Sequence, residues 1–353
     1  MNFSHKEPDT GRSTEKLAIA RNLIMRYGWN TMCYQILNPG ISLWFTESFD
    51  AVIGYVESST HIVVAGSPIA EEHLLGPALD EFLLFATIRK KLVCFFGAQE
   101  RIAAELSGRT PISSIQLGAQ PVWSPENWLA NFRSRPSLRA QAARAKNKVV
   151  VVSVFNKNLT DRIPELRICL DEWINGLRLP PMHFLIEPNT LENLEDRIIV
   201  SAERSGKIVG FCVATPIPRR NGWLIEQTIR GANAPNGTAE LLLESVIKHI
   251  CSLKSEMVTL GLSPLSIHGE SDLKQKYWLN MLLRFIRLYG KSFYNFEGLD
   301  MFKAKFLPDS WEPVYAITNE RTPSPKTLYA IGSAFCGYSP FLFALKGIFR
   351  KIF

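Results

Sequence analysis

Metal-binding and disulfide-forming spacings are missing from this chain. Its six cysteines, Cys33, Cys94, Cys169, Cys212, Cys251 and Cys336, stand singly with no CxxC pair, and most sit inside apolar runs such as "LVCFF" and "VGFCVA". That pattern predicts buried free thiols and argues against a zinc site. The six histidines show neither HExxH nor HxxxH spacing. The opening "MNFSHKEPDTGRSTEK" lacks the apolar core of a signal peptide and is expected to be a disordered lead-in over residues 1–20. Acidic residues are scarce relative to basic ones, 33 against 40, giving a formal charge of +7. This mild excess suits nucleic acid or an anionic membrane without demanding either. With 46% hydrophobic and 21% charged residues, the 353-residue chain has enough apolar content for two packed domains.

What is present is an alternation of strand and helix signals that runs twice. In the first half "AVIGYV" and "THIVVAGSPI" read as antiparallel strands. A helical "EEHLLGPALDEFLLFATIRKK" follows, with Gly76-Pro77 near its first turn, then "LVCFFGA", "QERIAAELSG" and "SSIQLGAQPVW" as strand, helix and strand. The second half repeats that order: "RIIVSAERSGKIVGFCVATPI" as two strands, "GWLIEQTIR" as a third, "TAELLLESVIKHICSLK" as a helix, "MVTLGLSPL" as a strand and "QKYWLNMLLRFIRLYG" as a helix. "EGLDMFKAKF" and the strand "EPVYAIT" close the ordered part. The expectation is an α/β (α+β) protein of two tandem units with mixed central sheets flanked by helices, over residues 21–130 and 149–322.

Between the units, residues 131–148 ("NFRSRPSLRAQAARAKNK") carry Arg133, Arg135, Arg139, Arg144, Lys146 and Lys148 with no acid. After Pro136 the segment is alanine-rich and helix-prone. It is either a solvated linker helix or a phosphate-contacting one, and the missing acids favour the second. The tail, residues 323–353, includes the uncharged run Thr327–Leu345 followed by "KGIFRKIF". Its composition fits an interfacial anchor over 327–353, a segment folded back on the protein, or a diluted span.

Several segments of the second half resemble the C-terminal catalytic domain of the phosphatidylglycerol lysyltransferases, the multiple peptide resistance factor family. The strongest is Phe293-Tyr294-Asn295-Phe296 through Gly298-Leu299, then Phe302-Lys303-Ala304-Lys305-Phe306, Pro308, Trp311, Pro313 and Tyr315. "APNGTAELLL" and "LGLSPLS" add to it. "AGSPIA" resembles the family's Gly-Asp-Pro turn with Ser67 in place of Asp, and "SLRAQAARAKNK" resembles its basic connecting helix. The resemblance spans roughly residues 40–320 and matches the synthase half only, so lipid export is not implied.

It implies tandem GNAT-like acyltransferase folds joined by the basic helix. The implied reaction passes an aminoacyl group from aminoacyl-tRNA, a co-substrate in place of any cofactor, to a hydroxyl of a phospholipid or another small acceptor. The implied place is the cytoplasm, on the inner face of the membrane. The donor carries no coenzyme A pyrophosphate, so a glycine-rich loop is not required. The comparable turn is Asn236, Gly237 and Thr238 after Pro235, with Thr238 expected to cap the helix and Glu240 to complement its dipole. That turn is either a substrate-binding element or a capped turn and nothing more.

Arg230 stands where the family has an arginine after a strand, a clamp for a phosphate. Gln227 replaces the family's Asp three residues earlier. It can orient a hydroxyl but cannot act as a base, and the adjacent Glu226 is expected on the opposite strand face. Lys303 is the further catalytic candidate, with Lys305, Tyr294 and Asn295 as substrate contacts and Arg135, Arg139, Arg144, Lys146 and Lys148 as tRNA contacts. His183 and His268 are general-base possibilities without commitment. Two other readings remain open: an acyl-CoA or acyl-carrier-protein N-acyltransferase on the same fold, and a non-catalytic tRNA- or membrane-binding module.

Overall fold

The computed structural model describes residues 14–148, 150–155, 160–177, 180–269, 277–289 and 295–349. The chain opens with helix α1 (Thr14–Tyr27) and strands β1 (Ser42–Phe45), β2 (Ala51–Glu57), β3 (His61–Ala65) and β4 (Ile69–Ala70). Helix α2 (Leu75–Ile88), β5 (Leu92–Ala98), α3 (Glu100–Leu106) and β6 (Ser113–Trp123) complete the first unit. Helices α4 (Pro125–Ser134) and α5 (Pro136–Lys146) connect to β7 (Val151–Phe155), α6 (Ile163–Asn175), β8 (Ile198–Arg204), β9 (Lys207–Ile217) and β10 (Gly222–Arg230). Then come α7 (Thr238–Ser252), β11 (Met257–Thr259), β12 (Ser263–Pro264), α8 (Tyr277–Tyr289), α9 (Phe296–Ala304), β13 (Ser310–Thr318), α10 (Pro325–Cys336) and α11 (Pro340–Phe349).

Each unit has a run of antiparallel strands, a crossover helix and a strand returning in parallel. β3 and β5 are parallel across α2, and β10 and β11 are parallel across α7. The two sets join into one sheet in the order β1-β2-β3-β5-β13-β6-β11-β10-β9-β8-β7. β13, late in the chain, inserts antiparallel between β5 and β6 of the first half. Its alternation lets Val314, Ala316, Tyr315 and Ile317 bury on both sides of that junction.

Three local expectations are corrected. Residues 14–20, expected in a disordered lead-in, form the first half of α1, because Ala20, Leu23 and Ile24 recur at helical spacing and are buried in the core. The basic segment is two helices, since Pro136 forces Arg135 out of the α region and starts α5 afresh. The tail is likewise two short helices, broken where Gly337 takes φ +70°. Among the described residues no helix is long and apolar enough to cross a membrane, so the spanning reading of the tail is set aside. α10 instead folds back: Phe335 packs edge-on against Phe96 at 4.9 Å and Phe184 at 5.4 Å. Phe341 and Leu342 of α11 remain exposed. The thiols match expectation, five buried and Cys251 partly so, all free.

Candidate active site

β10 pairs with β11 only over Gly222–Leu224. A bulge between Ile225 and Gln227 follows, and the strand runs on to Arg230 with no ladder partner on that side among the described residues. The bulge bends β10 away from β11 and opens a wedge in the sheet. Arg230 ends one margin of this opening, exposed, its side chain without a hydrogen-bond or ion-pair partner among the described residues. Gly261 and Leu262, directly after β11, end the other.

Lys303 serves that second margin. Its Nζ donates to the carbonyl oxygens of Gly261 at 2.8 Å and Leu262 at 2.9 Å, and the residue is only 4% exposed. α9 carries it there because Asn295 caps that helix, its Oδ1 accepting from the Gly298 N–H at 2.9 Å. Burial pushes the Lys303 ammonium down to about 7, against the opposing pull of the Asp300 charge. An amine at that value exchanges protons near neutrality, as a general acid or base requires. Asp300 is itself buried, with Oδ2 3.6 Å from Arg287 and 3.9 Å from the His268 imidazole, while its Oδ1 has no hydrogen-bond partner among the described residues. His268 stacks on Trp311 at 4.4 Å. Composition and spacing did not point to Asp300 or Arg287; Asp300 had the signal of lying beside the Phe302–Phe306 motif, and Arg287, fifteen residues earlier, had none.

The other expected residues divide among three places. Gln227 is committed to the chain at 187–190: Nε2 donates to the carbonyls of Glu187 at 2.8 Å and Pro188 at 3.2 Å, and Oε1 accepts from the Thr190 hydroxyl at 2.9 Å. Glu226, expected on the opposite face, has partners other than Gln227's: the Gln35 carboxamide donates to it at 3.2 Å. It pairs with Arg197 at 3.1 Å, and Arg197 also donates to the Thr190 carbonyl. His183 lies nearby with Nδ1 2.8 Å from the Glu187 carboxylate, a hydrogen bond that holds its pKa above the usual imidazole range.

The turn before α7 is the second place. Thr238 is the first helical residue and not the cap. Gly237 holds the cap position at φ +94°, and the buried Thr238 hydroxyl donates back to the Pro235 carbonyl at 2.7 Å. Gly237 is pressed against α5, whose Gln141 carbonyl fills the space before the turn. Asn236 alone of the turn is exposed. Lys305 seals this junction, with Nζ 2.7 Å from Glu240 in the first turn of α7, 3.4 Å from Gln141, and over the Phe302 ring at 4.1 Å. Tyr294 lies outside the described residues.

α5 is the third place. It buries Leu138, Ala142 and Ala145 and turns its charges outward. Lys146 pairs with Glu244 at 3.3 Å. Arg135, Arg139, Arg144 and Lys148 are exposed and have no ion-pair partner among the described residues. Arg139 and Arg144 on α5, with Arg135 and Lys148 just outside its ends, are therefore uncompensated basic charges around a helix that packs beside the turn following Arg230. A separate cleft of about 640 Å³ is lined mainly by the first unit, with Arg219 from the second, and of the residues singled out in the sequence Ser67 lines it.

Solved structures share this architecture. The C-terminal domain of a putative lysylphosphatidylglycerol synthetase from Agrobacterium fabrum superposes with a TM-score of 0.76 at 20% identity, covering 92% of this chain and 98% of that one. L-PGS from Bacillus licheniformis gives 0.75 at 20% identity, covering 94% and 99%. FemX is more distant, at 0.54 and 8% identity over 89% and 98%. These likenesses show that the chain shares their fold. Among curated proteins, the phosphatidylglycerol lysyltransferase of Staphylococcus haemolyticus (strain JCSC1435) is 20% identical over 311 residues, 86% of this chain and 36% of that protein. That of Staphylococcus aureus (strain COL) is 20% identical over 319 residues, 87% and 36%. The chain thus spans about a third of the length of the curated relatives it matches. Residues 21–318 match the family described as "Phosphatidylglycerol lysyltransferase, C-terminal", and the chain belongs to that family.

Proposed function

We propose that this chain moves an aminoacyl group from aminoacyl-tRNA to a hydroxyl of a phospholipid of the phosphatidylglycerol kind, working at the inner face of the membrane. The observation that carries the reading is the set of basic side chains on and flanking α5, Arg135, Arg139, Arg144 and Lys148, unpaired among the described residues, on a helix held by the Gly237–Gln141 approach beside the loop that leaves Arg230. A polyanion tracked along α5 is led towards the wedge between β10 and β11, with Arg230 at its margin. Family membership supports the same reaction.

In the reaction the acceptor oxygen bonds to the ester carbonyl carbon, the bond from that carbon to the tRNA ribose oxygen breaks, and the hydroxyl proton ends on the ribose oxygen. Arg230 supplies charged donors for a phosphate or for the oxyanion. Lys303 in its neutral form takes the hydroxyl proton and returns it to the leaving oxygen. Gln227, held by three hydrogen bonds, shapes the wall of the site and takes no proton. The exposed Phe341 and Leu342 of α11, with Lys346, supply a membrane contact for the lipid acceptor. The test is transfer of label from charged total tRNA into a lipid extract, with Arg230→Ala beside the unaltered chain. Label entering the lipid phase only with Arg230 intact supports the proposal. Label moving only into the aqueous phase points to a small hydroxylated acceptor, and no movement refutes transfer from tRNA.

A further inference from the structure

The two parallel crossovers of the fold treat their loops differently. After β10 the loop 231–237 is filled by α5, whose Gln141 carbonyl leaves no room even for a methyl group on Gly237. After β3 the equivalent loop, residues 66–74, is open and lines the cleft of about 640 Å³. That volume lies inside the range of small-molecule sites.

Two guanidinium groups line this cleft. Arg101, half-buried, lies over the Trp29 indole at 4.7 Å and has no carboxylate partner among the described residues. Arg219, from the 3-10 turn Pro218–Arg220 of the second unit, is exposed, and its side chain is likewise unpaired among the described residues. Its backbone is fixed, since the Arg219 N–H donates to the Gly28 carbonyl at 3.0 Å. Arg220 braces the Trp29 ring at 5.1 Å while paired with Glu312. Ser67 is buried, and its oxygen accepts one long bond from Asn30 at 3.4 Å, leaving its proton to donate.

Two carboxylates also line the cleft. Glu71 is exposed, with the Tyr27 hydroxyl at 3.5 Å and the His73 ring at 3.8 Å. Glu72 is exposed, on the 3-10 turn Glu72–Leu74, an element apart from those that bring the arginines.

We infer that this cleft is a second binding site, for a phosphate ester, with Arg101 and Arg219 as the groups that hold its phosphate. Two guanidinium groups with no carboxylate partner among the described residues, one pre-organised on an indole, offer the forked donors that phosphate oxygens accept from. The volume left beyond a phosphate takes the alcohol portion of the ester. The ester is either a free soluble one or the headgroup of a phospholipid, and both present the same group to the arginines. The site stands apart from the transfer reaction, so a chain inactive in transfer that still binds the ester here upholds it.

The test is calorimetric titration of the intact chain with glycerophosphoglycerol and, separately, with short-chain phosphatidylglycerol below its micelle concentration, with glycerol as the uncharged control. At least one ester is expected to bind. Arg101→Gln and Arg219→Gln are each expected to weaken it about tenfold or more, as removal of one charge-assisted hydrogen-bond donor does. Binding of the soluble ester assigns the site to a free ligand, and binding of the lipid alone assigns it to a headgroup. Should Arg101→Gln not fold, the exposed Arg219→Gln decides alone. Absence of binding by both esters, affinity unchanged in both variants, or affinity abolished by Arg230→Ala overturns the assignment.

Discussion

A Cβ atom on Gly237 would stand 1.8 Å from the carbonyl oxygen of Gln141. This close approach locks the basic helix α5 to the start of α7, and it works only because residue 237 is glycine at φ +94°. Gly237→Ala is expected to cost about 3 kcal/mol or more through strain and displacement of α5. Asn236→Ala, one residue away and exposed, should cost nearly nothing. Thermal or denaturant unfolding of the two variants side by side checks the contrast, and equal stability would refute it.

Arg230 should behave in the opposite manner. It is exposed and unpaired, so Arg230→Ala is expected to leave the melting temperature unchanged. Transfer activity should fall by about 100-fold, the usual cost of losing a charged donor at a reacting centre. A parallel fall in stability would assign Arg230 a structural role instead.

The α5 charges predict a salt signature. Replacing Arg139 and Arg144 with Gln should weaken tRNA binding and flatten its dependence on salt concentration, by about 0.7–0.9 in logarithmic slope for each phosphate left without its arginine. Lys146→Gln should change less, because Lys146 is already paired with Glu244. Filter binding across a salt series measures both, and unchanged slopes would remove α5 from the tRNA interface.

Lys303 predicts a pH dependence. Its amine, held near 7, is charged below that value and neutral above it. Activity that uses it as a base should therefore rise through about pH 7 and flatten beyond. The linkage has the same direction. Below about 7 both folded and unfolded chains hold the proton and the burial penalty is fully present. Between there and the ordinary lysine value of 10.5, the unfolded chain binds a proton that the folded one lacks, so stability increases with pH. Lys303→Met should abolish both trends. A transfer profile that keeps its rise near 7 in the variant would show that another group titrates there.

The buried pair Arg197–Glu226 predicts a stability loss. The side chains are 1% and 2% exposed, and Arg197 also donates to the Asn38 carboxamide of the first unit at 2.9 Å. Arg197→Ala leaves Glu226 charged and buried, at an expected cost of roughly 3–5 kcal/mol. Arg197→Ala with Glu226→Gln should recover part of it, read by denaturant unfolding.

The order of strands and helices was legible in the sequence because it rests on local periodicity. "RIIVSAERSGKIVGFCVATPI" pairs as β8 and β9 around the Ser205-Gly206 turn, and Gly76-Pro77 fits the first turn of α2, where a missing N–H costs nothing. Of the candidate site, the sequence named only what a motif carried, Lys303 and Arg230, which flank one opening. Asp300, Arg287 and the Arg101–Arg219 cleft were not named, since their partners lie far away in the chain.

By itself the sequence determined the two strand–helix units, the basic segment between them and the family, because each depends on the residues of one contiguous stretch. Tertiary structure alone decided which charges are free. Lys303, Lys305 and Gln227 are equally polar in the sequence, yet carbonyls, Glu240 and Thr190 engage all three. Arg230 and the unpaired charges of α5 stay open to solvent. A side chain's availability depends on what long-range packing sets against it, and no local pattern encodes that packing.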